Sequence, residues 1–334
     1  MHKATIALAS LAAIVAVTLI PTNNVCAELT RVTIGANPAG TVFNIIGGGF
    51  AKVIQENMGV PSIVRPYSGS SVYLPFLHQG AITLGINSSI DSVLSYTGQE
   101  PFRAAMTNIR ALISAYPVGY MYWVRASSDL YRIEDLEGSR VVINYRGLVG
   151  LDRLNRAILA TGGLSEDDVR SLTAAGLPEG MRLVLEGRAD AVPMSYQIPL
   201  VQQAHASLPG GLRFLLMGQN EARLVELMPG TRVATAQPSV NTVGIYEPIR
   251  TASYDAYLNA GTHISEEDAY RLVKTLHEHW VELQNDYVVL RSTMADEIAP
   301  ANNPHPYHSG AIIYFKEIGL WTEAHEENHR RFGL

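Results

Sequence analysis

The chain has 334 residues, 47% of them hydrophobic, and 25 Lys and Arg against 31 Asp and Glu give it a net charge of −6. An acidic chain without a basic run lacks the electrostatics of nucleic-acid binding. Its single cysteine, Cys26, excludes a disulfide framework.

Residues 1–27 read as a cleavable signal peptide. Lys3 supplies the positive start, Ala4 to Ile20 is apolar and uncharged, Pro21 to Asn24 breaks the run, and Val25-Cys26-Ala27 is a small-residue cleavage site. A retained anchor is the alternative, but the run is short for a span. Lipidation at Cys26 fits Asn23-Asn24-Val25 poorly. Cleavage would remove Lys3 and every thiol, leaving net charge −7, and place a protein of about 300 residues in the periplasm. That length can rest on its core alone.

The organising stretch runs from Thr33 to Ile54. Val32-Thr33-Ile34 is a short strand, and Gly35 to Gly40 is a loop of small residues. Thr41 stands at an N-cap position, and Val42, Ile45, Ile46, Phe50, Val53 and Ile54 follow at helical spacing. Strand, glycine loop and helix start make an anion site, because free N–H groups and the positive dipole end point at the ligand. Gly35-x4-Gly40-Thr41 is a near miss to a phosphate loop, lacking its lysine, and no Gly-x-Gly-x-x-Gly is present. An ordinary strand-to-helix turn and a carboxylate-binding turn remain open.

Next come a strand at Ser62-Ile63-Val64, a loop at Arg65 to Ser71, and a helix from Val72 to His78 stopped by Gly80. A strand at Ile82 to Ile86 ends at Asn87-Ser88-Ser89. This alternation predicts an α/β lobe with a mainly parallel sheet, whose ligands sit at the carboxyl ends of the strands. The pattern returns as a strand at Arg140 to Ile143, a loop at Asn144 to Gly150 and a helix at Leu151 to Ala160. A second helix, Glu179 to Glu186, is stopped by Gly187 before a strand at Ala189 to Val192. Gly40, Gly69 and Gly80 are each 107 residues from Gly147, Gly176 and Gly187. Two similar lobes are therefore expected.

Ala111 to Pro117 and Tyr120 to Arg125 are apolar and β-prone, and Val243-Gly244-Ile245-Tyr246 is the expected return crossing of a two-strand hinge. The expected division is lobe I from 28–116 plus 246–334 and lobe II from 117–245. Ser265 to Asp286 reads as one helix, capped by Ser265 and packed back on lobe I.

His325-Glu326-Glu327-Asn328-His329 matches the zinc-protease spelling, but its neighbours Glu323, Arg330 and Arg331 are charged and almost no chain remains for a third ligand. A solvated terminal helix is the expected reading, with no metal, cofactor or catalytic residue. His277, His279, His305 and His308 read as surface or core histidines. Arg65 and Arg146 lie at strand-end loops, one per lobe, where they would pair with an anion or else be solvated. Tyr67, Tyr145 and Tyr196, with Ser195 and Gln197 beside the last, suit a small polar molecule held by hydrogen bonds and a ring face, or are partly core.

Several stretches resemble the TAXI branch of TRAP-transporter solute-binding proteins, in the same order over nearly the full mature length. These are Ile34 to Ile54, Tyr67-Ser68-Gly69-Ser70-Ser71, and the strand to Asn87-Ser88-Ser89. Ile133 to Val141, Leu185 to Ala191, Thr242-Val243-Gly244, His308-Ser309-Gly310-Ala311 and Gly319-Leu320-Trp321 complete the set. The resemblance implies an α/β, type II-like periplasmic binding protein with two lobes and a cleft between them. It also implies capture of a small organic anion, a carboxylate such as an amino acid or 2-oxoacid, and delivery to ion-coupled TRAP membrane subunits. The backbone near Gly40 and Thr41, the hydroxyls of Ser68, Ser70 and Ser88, and Arg146 would hold the carboxylate, with Asn37, Phe43, Tyr67, Asn87, Tyr145 and Tyr196 around it. Two loops depart from the family: Ala39-Gly40-Thr41-Val42-Phe43 and Tyr145-Arg146-Gly147-Leu148-Val149 carry fewer hydroxyls and an added arginine, which points to a bulkier or more apolar anion. The alternatives are a ligand sensor for a membrane signalling partner and a zinc hydrolase.

Overall fold

A computed structural model describes residues 29–333, so the leader read at 1–27 and Cys26 lie outside the described residues. The first half-dozen elements are β1 (Val32–Ala36), α1 (Val42–Met58), β2 (Ser62–Pro66), α2 (Ser70–His78), β3 (Leu84–Ser88) and α3 (Ser89–Thr97). After the long strand β4 (Ile109–Arg125) the pattern repeats as β5 (Arg140–Tyr145), α4 (Val149–Thr161), β6 (Arg170–Ala174), α5 (Leu177–Leu185), β7 (Ala191–Ser195) and α6 (Pro199–Ser207). The chain continues through β8 (Leu212–Phe214), α7 (Ala222–Leu227), β9 (Thr231–Ala236) and β10 (Ile249–Gly261). It closes with α8 (Glu266–Glu278), α9 (Trp280–Asp286), α10 (Ser309–Glu317) and α11 (Glu323–Arg330).

One path of hydrogen-bonded strands runs β2-β1-β3-β10-β4-β7-β5-β6. β1 pairs in parallel with β2 and β3, and β5 pairs in parallel with β6 and β7. Between these two parallel sets lie β10 and β4, antiparallel to each other along their length. The architecture is thus two α/β lobes joined by a two-strand hinge. The outgoing strand is where the apolar run around Pro117 places it. The return strand is β10, with Asp255 opposite Pro117, and residues 243–246 lie in a turn and loop before it. The burial of β10 explains the miss: 11 of its 13 residues are buried, polar Thr251, Ser253 and Asn259 among them, which hides the strand alternation.

The echoed glycines occupy matching places. Gly69 and Gly176 are the N-caps of α2 and α5, while Gly80 and Gly187 follow those helices with positive φ. Ser265 caps α8 as expected, accepting the Asp268 N–H at 3.0 Å. The helix from 265 to 286 breaks at His279 into α8 and α9, which turns Trp280 inward to stack on Phe50 of α1 with ring centres 6.4 Å apart. The buried stripe Ala269, Leu272, Val273 and Leu276 holds α8 against α1 and α10.

Candidate ligand cleft

The cleft lies between the lobes, at the carboxyl ends of the parallel strands. Six helices present their first turns to it: Thr41, Val42 and Phe43 from α1, Ser70 from α2, and Ser88 and Asp91 from α3. Leu148 and Leu151 come from α4, Leu177 from α5, and Ile198 and Leu200 from α6. Only α3 has a side-chain cap: Ser88 Oγ accepts the Asp91 N–H at 3.0 Å. The caps of α1, α2, α4, α5 and α6 make no such bond. Thr41 turns its hydroxyl away, donating to Pro38 O at 2.7 Å. N–H groups at these turns therefore face the cleft with the positive ends of their dipoles, and such turns favour negative charge.

The rest of the lining is apolar and aromatic. Phe43 meets Tyr116 edge-on at 6.4 Å, and Tyr120 lies 6.1 Å from Tyr254, so the hinge strands β4 and β10 form the floor. Among the described residues, no Lys or Arg side chain lines the cavity, and the charged residue there is Asp91. Asp91 is 6% exposed, and its Oδ2 accepts the hydroxyls of Ser70 at 2.6 Å and Ser88 at 2.8 Å. Its Oδ1 is buried without a partner, as is Asn37 Oδ1 on the same wall. Burial pushes the Asp91 carboxyl upward, against the two hydroxyl bonds that favour its ionised form.

The lobes touch across the mouth of this cleft. Gly147 O lies where a Cβ on Gly69 would stand, 1.7 Å from that position, and Gly150 in the first turn of α4 sits against Asp91 Oδ1. The conformation is a closed one.

The structure brings Asn37, Gly40, Thr41, Phe43, Ser70 and Ser88 together on the cavity wall. It does not bring the other six candidates there. Tyr67 is packed between Tyr73 and Phe76, with the Arg65 guanidinium 5.4 Å from its ring centre, and Ser68 is exposed. Asn87 is fully buried in a hydrogen-bond chain behind the wall. Tyr145 is buried with its hydroxyl on Pro193 O at 3.0 Å, and Arg146 is exposed to solvent. Tyr196 lies over Gly119 and edge-on to Phe214. Its neighbours Ser195 and Gln197 line the cavity instead, since alternate residues at a strand end point to opposite faces.

Asp91 escaped the sequence reading, yet a signal was present: Ser88-x-x-Asp91 is a capping pattern ahead of a helix. Tyr254 and Val289 carry no local signal, because only long-range folding puts them in the wall. The terminal histidines are structural. His325 receives the Thr322 N–H at Nδ1 and meets Ala299 O with Nε2 at 2.7 Å. Among the described residues, no group of three or more His, Cys, Asp or Glu is placed to hold a metal ion.

One acid outside the wall titrates near neutrality. Burial pushes Asp152 of α4 up to about 7, although it accepts the Tyr145 N–H at 2.6 Å. A raised carboxyl means that the folded state holds a proton the unfolded state has released. Stability is then expected to fall as pH rises from about 4 to about 7. Asp152→Asn should flatten that part of a melting-temperature profile.

The model of the NMT1-like family matches residues 34–319 of this chain. The chain belongs to the NMT1-like family. Among solved structures, a putative L-cystine ABC transporter from Listeria monocytogenes is similar with TM-score 0.51 at 11% identity, covering 80% of this chain and 99% of that one. XAC2383 from Xanthomonas citri, bound to chloride ion, is similar with TM-score 0.50 at 10% identity, covering 90% of this chain and 99% of that one. These likenesses are of fold.

Proposed function

We propose that this protein captures a small organic carboxylate with an apolar body in the periplasm and hands it to an ion-coupled TRAP transporter. The observation that carries the ligand class is the set of uncapped helix N-termini around an apolar cavity. Backbone N–H groups near Gly40 and Thr41 grip the head group, while Ser70 and Ser88 spend their hydroxyl protons on Asp91 Oδ2. Val42, Phe43, Leu148, Leu151 and Leu177 enclose the body. Closure of the lobes buries the ligand and forms the surface read by the membrane subunits. The TRAP partnership rests on the sequence resemblance, as does the leader at 1–27.

A thermal-shift screen of the mature protein against apolar 2-oxoacids, fatty acids and amino acids tests the ligand class. A true ligand at 100 times its dissociation constant adds about 2.7 kcal/mol of stability. Absence of a shift with every carboxylate would sink this reading. Uptake reconstituted in vesicles tests the partner: transport driven by an imposed ion gradient without ATP is expected, and a strict ATP requirement contradicts it.

A further inference from the structure

Resting on the carboxylate reading, we infer that Asp91 acts in the ligand complex as a neutral carboxylic acid, its Oδ1 donating a proton to an anionic oxygen of the ligand. Its two oxygens already differ. Oδ2 accepts two hydroxyls, from Ser70 and Ser88, which fits the carbonyl oxygen of an acid. Oδ1 has no partner and is buried at the cavity wall beside Gly150 of the facing lobe. A hydroxyl placed there meets no protein acceptor in a hydrogen bond among the described residues and is free to donate to the ligand.

Charge argues the same way. A ligand carboxylate and an ionised Asp91 in one closed cavity, without a lining cation, would repel strongly. Two carboxyl groups in such a site share a proton. None of the titratable groups on the elements packed against Asp91 brings a cation to its carboxyl, whose hydrogen-bond partners are Ser70 and Ser88. Tyr73 on α2 and Tyr254 on β10 are phenols held neutral by burial. On α4, Asp152 accepts the Tyr145 N–H, and Arg153 donates to Gln99 Oε1 at 3.2 Å. β3 adds no ionisable side chain. Burial independently favours the protonated form of Asp91.

The affinity for an anion then follows the fraction of Asp91 that holds its proton. Wild type, Asp91→Asn and Asp152→Asn would be titrated calorimetrically with 4-methyl-2-oxopentanoate and with 3-methylbutylamine, from about pH 5 to 9, where both probes keep their charge. The expected result is oxoacid affinity that falls about tenfold per pH unit on the alkaline side. Asp91→Asn should bind the oxoacid as tightly as wild type does at low pH, without pH dependence, because its amide N–H replaces the acid proton. Asp152→Asn should keep the wild-type slope. Oxoacid binding that is flat with pH in wild type, or lost in Asp91→Asn, overturns the proton role and leaves the carboxylate reading standing. Amine binding that tightens with pH and vanishes in Asp91→Asn overturns both, as does failure of both probes to bind at millimolar concentration.

Discussion

Gly69→Ala is expected to weaken ligand capture roughly 100-fold, about 2.7 kcal/mol, while the ligand-free protein melts at an unchanged temperature. The reason is local. Gly69 has extended backbone angles, φ 170° and ψ 169°, which any residue adopts, so an alanine is unstrained when the lobes are apart. In the closed state its Cβ would stand 1.7 Å from Gly147 O, a backbone atom that cannot rotate away. The lobes must stay separated there, and apparent affinity drops by the fraction of molecules able to close. The chain supplies its own control. Gly176 holds the matching N-cap on α5, and a Cβ there meets only Pro178 Cδ at 3.9 Å. Gly176→Ala should bind normally. Calorimetric titration measures the affinity, and small-angle scattering with and without ligand measures closure. Equal affinity of Gly69→Ala and wild type would refute the clasp.

Asn259→Ala is expected to cost about 4 kcal/mol of stability, lowering the melting temperature by roughly 10 °C. Asn259 lies on β10 in the middle of a fully buried chain of polar groups. His305 Nε2 donates to its Oδ1 at 2.6 Å, and its Nδ2 donates to Asn87 Oδ1 at 2.7 Å. Asn87 passes the chain on to Ser88 O at 3.0 Å and Ser92 Oγ at 2.8 Å. Truncation at Asn259 leaves a ring N–H and an amide oxygen unpaired where no water replaces them cheaply, and each such group costs about 1–3 kcal/mol. Burial also pushes the His305 pKa down to about 3, so the ring is neutral in the folded protein. A depressed histidine gives stability that is present above its unfolded pKa and lost as pH falls from about 6.5 towards 3. Chemical denaturation of Asn259→Ala measures the loss directly. A change below about 1 kcal/mol would mean the chain tolerates a gap.

The two lobes were legible in the sequence because their strands and helices alternate in short, strongly patterned units. The loops that end at Thr41, Ser70 and Ser88 were legible for the same reason, since a helix start at a strand end advertises itself. What hid was orientation. Tyr145 and Tyr196 looked like ring faces for a ligand, yet side-chain alternation buries the first and turns the second onto Gly119. Arg146 looked like a counter-ion, but the close approach of Gly147 to Ser68 seals the cleft beneath it and leaves it outside. Asn87 lies one residue from a wall residue and belongs to the interior. The return strand was lost because burial on both faces erased its period.

The grip on the ligand head group is built from main-chain amides at helix starts rather than from a basic side chain. Only a proline in the first turn removes such a donor while the helix stands; every other substitution leaves it in place. Val42, Phe43, Leu148, Leu151 and Leu177, by contrast, are free to drift in size and shape without touching them. A new ligand body therefore asks only for changes in these side chains, on an unchanged anion-binding head-group chemistry.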